Sequence, residues 1–278
     1  MSASPDTVRR EVRDSYGKAI ENSGSCCASS CCGGAATLPA GYTDEDRAVL
    51  ADGVVSFGCG NPLAFSEVGE GETVVDLGSG AGFDLLLASQ RVGPTGKVIG
   101  VDMTDEMIDR ARANLDRAGA GNVEVRKGLI EDLPVEAGTV DWVVSNCVIN
   151  LSPEKDRVFA EIARVLKPGG RMLVSDIVAD DLPDFVRRIK GSVAGCIGGA
   201  VGEQEYLAGL RRAGLEAVEV RDRVVYDART LVALGADQFP LLRALEALPA
   251  ALRDPLMGFV DGLGAKVQSI RVFARKPG

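Results

Sequence analysis

A glycine-rich turn between two apolar segments, Thr73-Val-Val-Asp-Leu-Gly-Ser-Gly-Ala-Gly-Phe83, sets the framework of the sequence. Apolar residues lead into Asp76, glycines follow at positions 78, 80 and 82, and a periodic apolar stretch runs on to Val92. This order is typical of a buried strand, a tight turn and a helix N-terminus. Glycine lets a backbone approach a ligand closely and a helix start offers N–H groups, so the stretch predicts a ligand-binding turn.

The glycine spacing separates two classes of nucleotide-derived ligand. The dinucleotide-binding fingerprint requires a third glycine where Phe83 stands, so a nicotinamide or flavin oxidoreductase is disfavoured. The pattern Asp-x-Gly-x-Gly-x-Gly from Asp76 instead resembles the first motif of S-adenosylmethionine-dependent methyltransferases. A second apolar segment ends in Asp102, 20 residues after Gly82. An acid at that position can hold the ribose hydroxyls of an adenosine ligand.

Strand and helix patterns alternate along the rest of the chain. Strands are predicted at 73–77, 97–102, 123–126, 140–145 and 171–177, and helices at 1–23, 39–55, 83–92, 104–118, 153–166 and 203–213. Two further strands, near 215–220 and 267–275, are expected to form a last antiparallel pair. The pattern predicts an α/β fold with a doubly wound, mainly parallel, seven-stranded sheet of the Rossmann-like class I methyltransferase type.

Composition excludes several other classes of protein. The net charge is −9, which argues against binding to a nucleic-acid backbone. No apolar run reaches the length of a membrane span, and the N-terminus lacks a secretory pattern, so we expect a cytoplasmic protein. Seven cysteines cannot all pair within one chain, and thiols used for binding or redox chemistry are favoured. The chain has no histidine, which excludes a histidine base or metal ligand.

The segments after the third and fourth strands are expected to complete the cofactor site. An acid in Lys127-Gly-Leu-Ile-Glu-Asp132 can reach an adenine amino group, while Leu129 and Ile130 can pack on the ring. The segment Ser145-Asn-Cys-Val-Ile-Asn-Leu151 follows a strand next to the first one, at the carboxyl edge of the sheet. The predicted cofactor-binding residues are Asp76, Gly78, Ser79, Gly80, Gly82, Asp102, Met103, Ile130, Glu131 and Asn146.

Three cysteines lie in loops rich in glycine or asparagine that could open at the ligand edge: Cys59, Cys147 and Cys196. Three thiolates are a soft donor set. Zinc would take a fourth ligand or a water, whereas a trivalent metalloid with a lone pair, such as arsenic(III), suits three sulfurs. The separate cluster Cys26-Cys-Ala-Ser-Ser-Cys-Cys32 is either a disordered tail or a thiol donor that swings over a site.

Several motifs together resemble the arsenite methyltransferases over roughly residues 10–222. They are Tyr16-Gly-Lys18, Gly58-Cys-Gly-Asn-Pro62, Asp76-Leu-Gly-Ser-Gly80, Gly100-Val-Asp-Met-Thr-Asp-Glu-Met107, Ser145-Asn-Cys-Val-Ile-Asn-Leu151 and Val165-Leu-Lys-Pro-Gly-Gly170. The cysteine-containing motifs, with Cys196, are the specific ones, because glycine-rich and Lys-Pro-Gly-Gly motifs occur in many methyltransferases.

The resemblance implies an arsenic-detoxifying enzyme that uses S-adenosylmethionine to methylate arsenite or methylarsenite held by the thiolates of Cys59, Cys147 and Cys196. It also implies a thiol reductant, thioredoxin or glutathione, and pairing of an N-terminal cysteine, Cys31 or Cys32, with Cys59. The chain then divides into an N-terminal helix with a mobile cysteine-rich segment (1–40), a cofactor domain (41–177), and an arsenic-binding loop with a small C-terminal lobe (178–278).

Two other functions fit part of the pattern. A methyltransferase of a small organic acceptor would share every cofactor motif, with an aspartate or glutamate as its base. A thiol-rich protein that stores or senses metalloids would fit the Cys26–Cys32 cluster but has no use for a methyl donor. The number of methyl groups added, a preference for antimonite or organoarsenicals, and the oligomeric state stay open.

Overall fold

The computed structural model describes residues 4–21, 63, 66–181, 197–225, 248–264 and 266–278. The helices are α1 (Pro5–Glu21), α2 (Phe83–Val92), α3 (Asp105–Ala118), α4 (Lys155–Val165), α5 (Glu203–Arg212) and α6 (Ala250–Gly264). The strands are β1 (Thr73–Leu77), β2 (Lys97–Asp102), β3 (Val123–Lys127), β4 (Val140–Asn146), β5 (Leu166–Ala179), β6 (Glu216–Val225) and β7 (Val267–Arg275). A 3₁₀ turn, Ile149–Leu151, follows β4.

The strands form one seven-stranded sheet in the order β3-β2-β1-β4-β5-β7-β6. The first five run parallel, whereas β7 is antiparallel to both β5 and β6. The predicted doubly wound fold and its final antiparallel pair are therefore confirmed. β5 begins at Leu166, earlier than predicted, because the Lys167–Gly170 stretch that ends α4 continues directly into the strand.

The alternation of side chains along β1 explains how the sheet buries apolar residues on both of its faces. Val74 packs in a cluster with α2, α3 and Trp142 on one face. Val75 and Leu77 pack in a second cluster with α4 and α5 on the other. Successive strand side chains point to opposite faces, so an apolar run such as Thr73–Leu77 can serve two helical layers at once. This packing leaves Asp76 and the glycine turn at the carboxyl end of the sheet.

The N-terminal helix α1 lies across the carboxyl end of the sheet, where it contacts α3. Val8, Val12 and Ile20 are partly buried, as expected for apolar residues on one face of an amphipathic helix. Within the described ranges, no helix is both long and apolar enough to span a membrane. Four parts of the chain that carry predictions lie outside the described residues: the predicted helix at 39–55, the Cys26–Cys32 cluster, the positions of Cys59 and Cys196, and residues 226–247.

Candidate functional site

A cavity opens at the carboxyl ends of β1, β2 and β4, where the strand order reverses between β1 and β4. Its volume is about 970 Å³ including the open mouth, which is large enough for a nucleoside-sized ligand. The walls come from the glycine turn, the ends of β2 and β4, the loop after β3 and one face of α1. They comprise Arg9, Val12, Tyr16, Asp76, Gly78, Ser79, Gly80, Ala81, Phe83, Asp84, Asp102, Met103, Thr104, Met107, Gly128, Ile130, Glu131, Asn146, Cys147, Val148, Leu151 and Ser152.

The N–H groups of the glycine turn are used to hold the turn itself. Those of Gly78 and Ser79 donate to the carbonyl of Val101, at 2.8 and 3.1 Å. The N–H of Gly80 donates to Asp102 Oδ2 at 2.9 Å. These three donors stabilise the backbone instead of facing an anion, so this part of the turn is unlike a phosphate cradle.

Three carboxyl groups meet in the cavity wall: Asp76, Asp84 and Asp102. Asp76 is buried, and its Oδ2 atom has no hydrogen-bond partner within the described residues. Burial, and then repulsion from Asp84 and Asp102, raises the pKa of Asp76 well above its ordinary value. A buried carboxyl with an unmatched oxygen beside two other acids favours a positively charged ligand.

Asp102 joins the glycine turn to the start of α3. Its Oδ1 accepts the N–H of Thr104 at 2.9 Å, and its Oδ2 accepts that of Gly80. Burial raises the pKa of Asp102, partly offset by these hydrogen bonds and by the Thr104 hydroxyl. The hydroxyl of Thr104 hydrogen-bonds Asp102. Although Thr104 occupies the N-cap position of α3, its side chain therefore makes no cap to that helix.

The apolar side of the cavity is formed by Met103, Gly128 and Ile130, with Glu131 at its end. Glu131 Oε1 accepts hydrogen bonds from Ser152 Oγ at 2.7 Å and from Arg9 Nε at 3.2 Å. This oxygen is thus engaged inside the protein. The predicted contact of Glu131 with a ligand amino group would therefore have to be made by its other carboxylate oxygen, Oε2.

One face of α1 covers the cavity through Arg9, Val12 and Tyr16. Arg9 pairs with Glu131 and also with Glu154, just before α4. Its side chain is only 15% exposed, and that of Glu131 only 4%, so the pair is largely removed from water. Ion pairs in such surroundings are much less screened than pairs on the surface.

Cys147, the one member of the predicted thiol set that the structure describes, lies in the wall of the same cavity. It carries a thiol and is buried. Its backbone is left-handed, with φ of 59°, which is uncommon for a residue with a Cβ. The next residue, Val148, packs against Gly78, where a Cβ would overlap the valine side chain. The loop that carries the Cys147 thiol and the glycine turn are therefore in direct contact.

Nine of the ten predicted cofactor residues line the cavity, and Gly82 does not. Gly82, with φ of 87°, begins α2 and faces Ala111 of α3 at close range, so its role in the structure is to pack two helices. Asn146 lines the wall, with its Nδ2 3.4 Å from Asp84 Oδ2.

Sequence reasoning missed Asp84, Arg9 and Tyr16. Asp84 stands in the first turn of the helix after the glycines, a position that could have indicated it, and Tyr16 belongs to a motif already noted. No local pattern in the sequence marks Arg9.

The chain is similar to several known methyltransferases. A family model described as a methyltransferase domain matches residues 69–214. An arsenite methyltransferase of Halobacterium salinarum is 46% identical over 78% of this chain and 59% of its own length. One of Aquipseudomonas alcaligenes is 39% identical over 84% of this chain and 70% of its own length. The chain thus spans less than two thirds of the first of these relatives.

Solved structures show the same likeness. The crystal structure of an arsenic(III) S-adenosylmethionine methyltransferase from Chlamydomonas reinhardtii aligns with a TM-score of 0.63 and 31% identity. The alignment covers 87% of this chain and 75% of that one. A geranyl diphosphate methyltransferase in complex with S-adenosylmethionine aligns with a TM-score of 0.58 at 22% identity, a likeness of fold alone.

Proposed function

Because the chain belongs to the arsenite methyltransferase family, we propose that it transfers a methyl group from S-adenosylmethionine to trivalent arsenic. Arsenite or methylarsenite is the substrate. The observation that best supports this activity is that the Cys147 thiol and the acid-lined glycine turn share one cavity. A thiol in that position gives a soft metalloid a binding partner beside a methyl donor.

The residues of the cavity suit S-adenosylmethionine, which carries two positive charges at its ammonium and sulfonium groups and, when bound, supplies an electrophilic methyl group. Asp76 has a buried, unpartnered oxygen, and Asp84 and Asp102 add negative charge around it. Ser79 Oγ is likewise buried without a partner among the described residues. In this proposal Asp76 holds the ammonium group and Asp102 the ribose hydroxyls.

The adenine ring would lie between Met103 and Ile130, with Glu131 at its amino edge. Both apolar side chains line the cavity, together with Gly128. Arg9 keeps Glu131 in place through its Nε, and the Ser152 hydroxyl holds the same oxygen. Gly80 and Asn146, also in the wall, would complete the contacts to the methionine part.

The substrate arsenic would be held by three thiolates, those of Cys59, Cys147 and Cys196. The lone pair of arsenic(III) is the nucleophile, so no proton has to be removed and the absence of histidine is no obstacle. The chain must instead align two bound reactants, and alignment of this kind can contribute several kcal/mol to a reaction. The contact of Val148 with Gly78 provides a rigid link between the two binding regions.

The reaction also needs a source of electrons. Forming the As–C bond uses the arsenic lone pair, so arsenic is formally oxidised by two electrons. Two of the thiolates can return those electrons by joining as a disulfide, which leaves methylated arsenic in its trivalent form. A dithiol such as thioredoxin, or glutathione, would then reduce the disulfide for the next turnover.

The direct test is to incubate purified protein with arsenite, S-adenosylmethionine and a dithiol and to separate the arsenic species by chromatography. Methylated arsenic is expected from the wild type and not from Cys59→Ser, Cys147→Ser or Cys196→Ser. All three variants should still bind the cofactor. Cys26→Ser is a matched control, since the same chemical change is made in a thiol that we do not place in the site.

Two outcomes would contradict the proposal. Full arsenite methylation by Cys147→Ser would exclude the three-thiol site. Tight cofactor binding with no methylated arsenic from the wild type would move the function to an organic acceptor, which a panel of small acids and alcohols would then identify.

A further inference from the structure

The backbone of Cys147 is held in a conformation that its own side chain disfavours. Its φ of 59° lies in the left-handed region, which residues with a Cβ rarely adopt. Such a conformation persists only where the surroundings determine it, and it is common at functional sites. The loop that carries the thiol must therefore be fixed from outside.

Hydrogen bonds from two residues tie this loop to the end of β5. The N–H of Cys147 donates to the carbonyl of Ser175 at 2.7 Å. Three residues on, Asn150 Nδ2 donates to Asp176 Oδ1 at 2.8 Å and also contacts the carbonyl of Ile177. The loop is thus fixed at the backbone of the strained residue and again one turn later.

Asp176 accepts a hydrogen bond from Asn150 and is itself fixed by burial and by further hydrogen bonds. It is fully buried, its Oδ1 also accepts the N–H of Ile177 at 2.9 Å, and its Oδ2 lies 3.3 Å from the Tyr206 hydroxyl. Neither Asp176 nor Asn150 lines the cavity. They can therefore act on a bound ligand only through neighbouring residues that line the cavity, such as Cys147.

Stability alone gives a poor reason for an acid at this position. Burial raises the pKa of Asp176 to about 7, even though hydrogen bonds and the charge of Lys155 favour its ionised form. Replacing a buried charged group by a well-packed apolar one is often neutral or stabilising. Val174 and Val178, which share the face of Asp176 on β5, and Tyr206 belong to a buried apolar cluster that would accept an apolar side chain.

We propose that the buried Asn150–Asp176 hydrogen bond is a positioning device that holds Cys147 in its left-handed conformation and so directs its thiol to arsenic. This inference rests on the proposed function, since it concerns the same substrate site. It assigns a role to two residues that touch neither the cofactor cavity nor the reacting atoms.

The test measures arsenite binding apart from turnover. Arsenite is titrated against the reduced full-length protein and followed by the ultraviolet absorption of arsenic–thiolate bonds. Cofactor affinity and melting temperature are measured in parallel. Asn150→Leu keeps the size of the side chain and removes the amide donor. We expect its arsenite dissociation constant and its KM for arsenite to rise about tenfold, with cofactor affinity within about twofold of wild type.

Three further variants separate positioning from a loss of general core stability. Tyr206→Phe removes the hydrogen bond to Asp176 Oδ2 and leaves the bond from Asn150 to Oδ1 intact, so arsenite affinity should change little. Asp176→Asn keeps an acceptor oxygen for Asn150 and Ile177, so it should retain much more arsenite affinity than Asp176→Ala.

The outcomes distinguish this inference from the proposed function. Unchanged arsenite affinity in Asn150→Leu, or an equal loss in Tyr206→Phe, would overturn the positioning role while the wild type still binds arsenite. Absence of arsenite binding by the wild type would instead overturn the proposed function. If Asn150→Leu does not fold, the comparison of Asp176→Asn with Asp176→Ala decides.

Discussion

At the scale of single residues, Asp76 shows how a ligand site can oppose stability. The side chain is buried, one oxygen lacks a partner within the described residues, and two other carboxyls lie near it. Its folded pKa is raised above the unfolded value. Such a group contributes stability that is present below the unfolded pKa and lost as pH rises through the folded pKa.

Asp76→Asn should therefore stabilise the ligand-free protein at neutral pH and weaken cofactor binding. The amide is neutral at every pH, so folding neither buries a charge nor takes up a proton at this position, and repulsion from Asp84 and Asp102 is absent. Because a cationic ligand favours the ionised carboxyl, wild-type affinity should fall as pH is lowered, and binding should release a proton. Calorimetry of S-adenosylmethionine binding in buffers of different ionisation enthalpy measures this. A variant that is less stable and still shows the wild-type pH dependence would contradict the prediction.

Gly78 is a residue where a single added methyl group should be harmful. Its φ is 65°, and a Cβ there would overlap Val148, the neighbour of the thiol. Gly78→Ala should destabilise the protein by about 1–3 kcal/mol and weaken cofactor binding as well. The matched control is Gly121→Ala, where a Cβ would meet nothing within 4 Å. Thermal melting and cofactor titration compare the two, and equal effects would exclude the proposed contact.

At the scale of elements, α1 is the part of the structure whose role is least evident from its sequence. Its amphipathic pattern predicts a helix, but the helix could have packed anywhere on the sheet. In the structure it contacts α3, and Arg9, Val12 and Tyr16 line the cavity. The helix is anchored by the pairs from Arg9 to Glu131 and Glu154.

Arg9→Met should weaken the attachment of α1 over the cavity while keeping most of the apolar part of the side chain. Glu131 would lose a charged partner in a buried position, and a lost hydrogen bond of this kind costs about 1–3 kcal/mol. We expect S-adenosylhomocysteine to dissociate about tenfold faster or more, as measured by stopped-flow fluorescence or competition. Faster association as well would show that α1 controls entry.

The control for this change is Arg13→Met, one helical turn further along α1. Arg13 is 52% exposed and pairs with Asp14 at 3.4 Å. Exposed pairs contribute little, so its cofactor kinetics should match those of the wild type. If the two variants behave alike, the pairs of Arg9 do not anchor the helix.

At the scale of the whole molecule, the C-terminal strand completes the sheet. β7 lies between β5 and β6 and pairs with both of them, so the last residues of the chain form an internal strand. Ile270, Val272 and Ala274 are fully buried in the same cluster as Val75 and Leu77 of β1.

Removal of residues 267–278 should abolish folding. β6 would lose its only neighbour in the described sheet, and β5 would expose an unpaired edge that favours aggregation. Removal of Gly278 alone is the control and should leave melting temperature and cofactor binding unchanged. Circular dichroism and gel filtration would report the outcome. A soluble truncated chain that binds the cofactor would show that β7 is dispensable.

The sequence by itself determined the order of strands and helices, the glycine turn and most of the residues predicted to bind the cofactor. These features depend on local rules, namely the twofold and 3.6-residue apolar periods and the position of acids at strand ends. Asp76 and Asp102 were predictable for that reason. So was Cys147, whose loop follows the strand beside β1. The positions of Cys59 and Cys196 stay predictions, because both lie outside the described residues.

Only the tertiary structure decided which distant side chains meet. Arg9 pairs with residues 122 and 145 positions away, and Asn150 bonds Asp176 across 26 positions. Gly82 faces a helix and not the cavity for the same reason, since its neighbour Ala111 is brought there by packing of α2 and α3. Such contacts follow from how elements dock, and no local period or spacing in the chain records them.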